Sequence, residues 1–308
     1  MACRDLSILI PARNELFLQN TIDDILKNKR ANTEIIVVLD GYWPYAPIKD
    51  NADITIIHHS GAIGQRAATN EAARLSTAKY IMKCDAHCAF EKGFDVKLIA
   101  SMQPEWTTIP RMYNLHVFNW QCKSCGNETY QGPTPVKCEA CNKADGFERK
   151  MIWSRRKKRM TDFCMFDKDL HFQYWSRYGE RPEAQGPICD VMGALGACWL
   201  MCRERYWALG GLDEEHGSWG QMGTEISCKT WLSGGRQVVN KNTWFAHMFR
   251  TQGGDFGFPY KISNSDIAKS REHSRNLWIN NTWGGAVLPL SWLVKKFAPV
   301  PTWEGVYA

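Results

Sequence analysis

The sequence has no uncharged apolar run near the roughly 18 residues that a membrane span requires. Its longest candidates, around 191–202 and 284–294, are far shorter. The first residues carry Arg4 and Asp5 and then only a brief apolar run, which does not read as a secretory signal. Internal repeats and low-complexity tracts are missing too, which excludes solenoid and compositionally biased classes. Acids are missing from one stretch in particular. Arg149, Lys150, Arg155, Arg156, Lys157, Lys158 and Arg159 follow one another with no Asp or Glu among them. The expectation is an intracellular, cytoplasmic protein with no membrane span.

What is present is an ordinary globular balance. Hydrophobic residues are 44% and charged residues 23% of 308 positions, enough to bury a sizeable core without disulfides. One large domain or two modest ones would fit. The formal charge of +6 belongs to 149–159, since the rest of the chain is close to neutral. Such a segment suits a polyanionic partner, nucleic acid before an anionic membrane, or else forms a solvated loop. Trp153, Phe172, Tyr174 and Trp175 follow or interleave it, either as core or as faces on which bases stack.

Twelve cysteines are many for such a chain. Four fall as Cys122-x2-Cys125 and, twelve residues on, Cys138-x2-Cys141, the spacing of a tetrahedral four-cysteine zinc ribbon. Four thiolates leave no open coordination position, so this Zn²⁺ is expected to be structural. Cys3, Cys84, Cys88, Cys164, Cys189, Cys198, Cys202 and Cys228 show no paired spacing and read as buried thiols in a reducing compartment.

Strand and helix signals alternate over the first hundred residues. Strands are predicted at 6–10, 34–39, 54–57 and 79–84, with helices at 15–28 and 65–76. The 34–39 run is apolar and β-branched, as a strand buried on both faces should be. This order implies an α/β fold with a parallel sheet covered by helices, whose ligands bind beyond the carboxyl ends of the strands. Those ends carry Asn14, Glu15, Asp40 and Asp85. Segment 121–147 interrupts the pattern, apolar signals resume at 191–202, and 218–231 reads as helix-bearing. The tail from 291 gives no element.

Asp85-Ala-His87 closes a buried strand. Positions i and i+2 of an extended chain point the same way, so a carboxylate and an imidazole can share one cation. That donor pair suits Mn²⁺, with Mg²⁺ less favoured by the imidazole.

The company of this tripeptide resembles a known family. Ile8-Leu-Ile-Pro-Ala-Arg-Asn-Glu15, Ile35-Ile-Val-Val-Leu-Asp-Gly41, Gly64-Gln-Arg66 and Lys79 through His87 look like the nucleotide-sugar half of a family 2-type glycosyltransferase of the GT-A fold, which is Rossmann-like. Leu209-Gly-Gly-Leu-Asp-Glu214, Trp219-Gly220, Glu225-Ile-Ser227 and Ala246-His-Met-Phe-Arg250 follow in the order such enzymes use. The motifs most resemble the catalytic domain of polypeptide N-acetylgalactosaminyltransferases. The resemblance implies a nucleotide-sugar half at 1–115, a zinc-ribbon insertion with the basic segment at 116–160, and an acceptor half with the tail at 161–308.

Roles follow from that resemblance. Asp40 matches the acid that contacts the uracil, Pro11, Arg13, Asn14 and Glu15 lie beside it, and Arg66 matches a basic residue near the nucleotide. Trp219 belongs to the same nucleotide-sugar set. Asp85 and His87 match the metal motif, completed by His247. A divalent cation there would stabilise the departing diphosphate. The acidic pair that usually supplies the acceptor's base is replaced by Gln221-Met-Gly-Thr-Glu225, leaving Glu225 or Asp213 as the candidate base, with Glu225 alternatively a helix-start carboxylate. No lectin domain or membrane anchor of the resembled enzymes is legible in these residues.

The expected activity is metal-dependent transfer from a UDP-sugar to a hydroxyl. A zinc ribbon and Arg155, Arg156, Lys157, Lys158 and Arg159 beside the acceptor half point to a hydroxymethylated pyrimidine in DNA, flipped or single-stranded. The alternatives are a protein Ser/Thr hydroxyl, or a nucleic-acid-binding zinc protein on an inactive transferase scaffold.

Overall fold

The computed structural model describes residues 4–144, 146–250 and 253–306, with every side chain among them except that of Arg159. Cys3 therefore lies outside the described residues. The strands are β1 Leu6–Ala12, β2 Thr33–Asp40, β3 Ile54–His59, β4 Tyr80–Cys84, β5 Cys88–Phe90, β6 Trp106–Cys122, β7 Glu128–Tyr130, β8 Phe147–Thr161, β9 Cys164–Phe166, β10 Phe172–Tyr174, β11 Ile188–Asp190, β12 Cys198–Cys202 and β13 Arg236–His247. The α-helices are α1 Leu18–Asn28, α2 Gln65–Leu75, α3 Phe94–Ile99, α4 Arg203–Ala208, α5 Met222–Leu232, α6 Asn264–Ser274 and α7 Leu290–Lys296.

The main path of the sheet runs β11-β13-β6-β12-β4-β1-β2-β3. Strands β1 to β4 are mutually parallel where they pair, as the alternating strand–helix order requires. Strand β12 enters antiparallel between β4 and β6, and β13 runs parallel to β6. Strand β1 extends past the predicted 6–10 to include Pro11. The missing N–H costs nothing there, because pairing with β4 ends at Leu9. Residues 15–17 precede α1 and do not join it, since the helix begins at Leu18.

Both sheet faces are covered. On one, Leu18, Ile22 and Ile25 of α1 and Phe94 and Leu98 of α3 pack on β1, β2 and β4. On the other, Ala68, Ala72 and Ala73 of α2 and Ile226 of α5 pack on Leu9, Ile36, Val38 and Ile81. A further core joins α5 to the tail through Trp231, Trp278, Leu290, Leu293, Phe297 and Trp303. The tail, which carried no sequence signal, is thus a packing element containing α7. Cys84, Cys88, Cys164, Cys189, Cys198 and Cys228 are buried free thiols, and Cys202 is partly exposed.

The cysteine segment is less separate than the sequence suggests. Strand β6 runs unbroken from the central sheet, where it pairs with β12 and β13, into an antiparallel ribbon with β8 and β7. The expected boundary near 116 falls inside this strand. Leu115, Val117, Phe118 and Trp120 bind the ribbon's base to Phe17, Ala246 and Phe256 in a core of their own. The basic run is the strand β8, not a loop.

Candidate active site

The carboxyl ends of β1, β2 and β4 and the end of β13 open into a cavity of about 540 Å³, a usual size for a small-molecule site. Pro11, Arg13, Glu15, Asp40, Asp85 and Trp219 line it, with His87 and His247. Asn14 and Arg66 do not line it. Asn14 sits at φ 54° and donates its side-chain amide to the Pro259 carbonyl at 2.9 Å.

Asp85, His87 and His247 converge although β4 and β13 are far apart in sequence. One ligand atom from each lies within 4.8 Å of the others. His247 Nε2 is 3.1 Å from Asp85 Oδ2, and the two histidine Nε2 atoms are 3.1 Å apart. Two imidazole nitrogens facing each other repel unless a proton or a cation lies between them. Burial, with the His87 and Lys83 charges nearby, pulls His247 down to about 4 against the opposing pull of Asp85. It is therefore neutral near pH 7, with a lone pair to offer. Burial alone would raise the Asp85 pKa, but Lys83, His247 and His87 outweigh it and hold the group well below the carboxylate range. One oxygen and two nitrogens fit a divalent transition cation.

These three side chains are themselves held. His87 Nδ1 lies 3.2 Å from Glu15 Oε2, which fixes the ring's tautomer and leaves Nε2 facing Asp85 and His247. Arg250 binds the same Glu15 oxygen. Burial would raise the Glu15 pKa, yet His87 and Arg250 lower it. Lys83, fully buried, donates to Asp85 and, at 2.9 Å, to the Gly196 carbonyl. The Asp40 carboxylate accepts the Ile63 N–H at 2.6 Å and the Gly64 N–H at 3.2 Å, holding the loop that leads into α2. Lys83 and Arg250 were not singled out in the sequence. Lys83 stands two residues before Asp85 on the same strand face, and Arg250 closes the His-Met-Phe-Arg stretch. Those were the available signals.

Glu225 and Arg66 are a correction. Glu225 is fully buried away from the cavity, and Arg66 Nε donates to its Oε2 at 2.7 Å. Lys229 Nζ is 3.0 Å away from the other oxygen, and the Asp213 N–H donates to it at 2.6 Å. Burial raises this carboxyl, but Arg66, Lys229 and His216 outweigh it and bring it to about 2. A carboxylate so paired has no access to an acceptor and little basicity. Asp213 is also outside the cavity wall, bonded to His273 at 2.7 Å. Neither is placed to act as the base.

The wall near α5 is set by backbone contact. A Cβ on Gly223 would stand 1.8 Å from the Ala194 carbonyl oxygen, and one on Gly196 only 2.9 Å from the Gly223 nitrogen. Gln221 sits there at φ 58°, its Oε1 buried with no hydrogen-bond partner. Trp219 meets Phe258 edge-on at 5.4 Å, and Arg13 lies over Tyr260 at 4.8 Å. His171, just before β10, and Phe172, its first residue, also line the cavity.

A family model described as Glycosyl transferase family 2 matches residues 7–209. The chain belongs to glycosyl transferase family 2. Among solved structures, GalNAc-T7 crystallised with UDP, GalNAc and Mn²⁺ superposes with a TM-score of 0.66 at 17% identity. That match covers 91% of this chain and 50% of GalNAc-T7. TarS of S. aureus gives 0.51 at 11% identity, over 95% of this chain and 42% of TarS. This family 2 chain thus spans about half the length of those proteins, and its fold is the GT-A glycosyltransferase fold.

The four ribbon cysteines also converge. Cys122 and Cys141 Sγ are 3.8 Å apart, Cys125 and Cys138 Sγ 3.6 Å, and all four lie within 4.8 Å of one another. A tetrahedron of Zn–S bonds of about 2.3 Å puts its sulfurs about 3.8 Å apart, so the quartet is compatible with zinc. Arg155 stacks over Trp244 and Tyr113 at 4.5 and 4.9 Å, and Arg156 over Tyr130 at 4.5 Å. Lys157 and Lys158 are exposed. The side chain of Arg159 is outside the described residues. Trp175 is core, Trp153 donates to Asp24, and Tyr174 is about half exposed beside Phe172.

Proposed function

We propose that this glycosyltransferase moves a sugar from a UDP-sugar to the hydroxyl of a hydroxymethylated pyrimidine in DNA. The observation that carries the donor half is the convergence of Asp85, His87 and His247 in the strand-end cavity of a family 2 fold. Mn²⁺ or Mg²⁺ held by these three residues would supply Lewis-acid stabilisation to the diphosphate as the anomeric C–O bond breaks. The chain's own groups prepare that site. Glu15 orients His87, Arg250 neutralises Glu15, and Lys83 keeps Asp85 ionised and fixed. Arg13, Asp40 and Trp219 sit where the nucleotide would be gripped, and the buried Gln221 Oε1 suits a hydroxyl or N–H of the sugar.

For the acceptor proton, the cavity carboxylates Glu15, Asp40 and Asp85 are each engaged. His171 is the better candidate base: it lines the cavity, and its Nδ1 is 3.7 Å from Asp167 Oδ2. Asp167 is itself fixed by the backbone N–H groups of Asp169 and His171 at 3.0 and 2.9 Å. The nucleic-acid reading rests on the exposed cations Lys157 and Lys158 on the zinc-compatible ribbon and on Phe172 at the cavity, with the half-exposed Tyr174 against it.

The test is an acceptor panel: hydroxymethylated DNA, unmodified DNA and Ser/Thr peptides, each with several labelled UDP-sugars and Mn²⁺. Label on hydroxymethylated DNA alone is the expected result. Label on peptide would establish the protein-acceptor reading, and DNA binding without turnover would establish an inactive scaffold.

A further inference from the structure

Next to Glu225, outside the cavity lining, lies a second cluster of donors. His216 is buried, lying parallel to Trp278 at 6.5 Å and edge-on to His273 at 4.6 Å. Its Nε2 is 3.0 Å from Ser274 Oγ. Its Nδ1 is fully buried and makes no hydrogen bond. That nitrogen points at two carboxylates, Asp213 Oδ2 at 3.5 Å and Glu225 Oε2 at 3.7 Å. Both gaps exceed an N–H···O bond. His273 Nε2 is the third donor; it now hydrogen-bonds Asp213 Oδ2 at 2.7 Å, a contact that shared zinc ligation would open to about 3.3 Å.

A ring nitrogen aimed at two carboxylates, with both separations longer than a normal hydrogen bond, leaves room for a cation among the three. Zn–N and Zn–O bonds of about 2.0–2.2 Å put tetrahedral ligand atoms about 3.3–3.6 Å apart. The Asp213–His216 separation falls in that range, and the donor atoms of Asp213, His216 and His273 all lie within 4.8 Å. We propose that Asp213, His216 and His273 form a second transition-metal site, separate from the Asp85 site and the cysteine quartet, and that it takes Zn²⁺. Two imidazoles and one carboxylate are a borderline-soft set that zinc accepts, with a water as the fourth ligand. Ser274 orients the His216 ring through its other nitrogen, as outer-shell partners of ligating histidines do. The charge of Glu225 is already met by Arg66 and Lys229, so it stands as a neighbour and not as a ligand.

The placement gives the ion a role. Asp213 and His216 stand just before Ser218–Gly223 of the cavity wall, and His273 stands on α6, which contributes Ile267 and Arg271 to the same wall. A metal bridging them clips α6 to the loop and fixes that side of the cavity. This inference holds whatever the acceptor proves to be.

The test is metal analysis of the full chain, wild type against His273→Ala and Asp213→Asn, with Co²⁺ substitution to tell the sites apart. The variants should lose one equivalent of zinc while the cobalt–thiolate charge-transfer band of the quartet stays unchanged. The α6 segment should also become more sensitive to protease. Should the variants fail to fold, anomalous scattering at the zinc edge from wild-type crystals decides the matter, with a peak expected between Asp213 and His216. Unchanged zinc content in folded variants, no anomalous peak there, or NMR showing both His216 ring nitrogens protonated would overturn the assignment.

Discussion

Removing the charge of Glu225 would leave the buried Arg66 and Lys229 without their carboxylate. Breaking a buried pair from one side typically costs about 3–5 kcal/mol. Glu225→Gln is therefore expected to lower unfolding stability by that amount in urea melts. A variant as stable as wild type would contradict the pairing. The same group makes the fold acid-labile. Its pKa is about 2 against an ordinary 4.5, so its stabilisation is complete above 4.5 and is lost as pH falls from 4.5 towards 2. The difference is worth about 3 kcal/mol, and melts in that window should show the loss in wild type and not in Glu225→Gln. At the metal site, Asp85→Ala would leave buried Lys83 without its carboxylate, so His247→Ala is the cleaner probe.

Helix α5 reaches the cavity only because Gly223 has no side chain. Gly223→Ala drives a methyl into the Ala194 carbonyl, an overpacking that costs about 3 kcal/mol and moves the wall carrying Gln221. Lower stability together with weaker donor binding is the expected outcome. Gly61→Ala, where a Cβ meets nothing within 4 Å, should change neither. On β8 the cations divide by their surroundings. Arg155 and Arg156 are spent on aromatic faces, so replacing them should cost folding. Lys157→Ala with Lys158→Ala should leave stability intact and lower the salt slope of DNA binding by about two units. An unchanged slope would remove the basic strand from the acceptor argument.

Taken whole, the molecule shows what its sequence could and could not disclose. Strands β1 to β4 and helix α2 were legible within a residue or two, because β1, β2 and β4 are buried along nearly their whole length and read as largely apolar runs, while β3, partly exposed at the sheet edge, is marked by its β-branched residues. The Asp85, His87 and His247 set was legible through motif order alone, since nothing local says that β13 ends beside β4. The Glu225 role was not legible. The partner that marks it as a structural acid, Arg66, lies 159 residues away, and a helix-start carboxylate looks the same as a base. The tail was opaque because its tryptophans are anchored separately, Trp292 on Trp231 of α5 and Trp303 on Phe166 of β9, without the period of a long helix. The ribbon looked separate because its cysteines dominate the composition, while the strand that carries it runs straight out of the main sheet.

The central claim is that the Asp85–His87–His247 cluster carries the metal on which UDP recognition depends. Calorimetric titration of UDP into the purified chain tests it directly, with Mn²⁺ and with EDTA, for wild type and His247→Ala, with bound zinc monitored throughout. Binding to wild type in Mn²⁺ should fall at least about tenfold in EDTA and in His247→Ala, as losing a metal or its second-shell support does, with melting behaviour preserved. UDP affinity equal in Mn²⁺ and EDTA, or undiminished in His247→Ala, would contradict it.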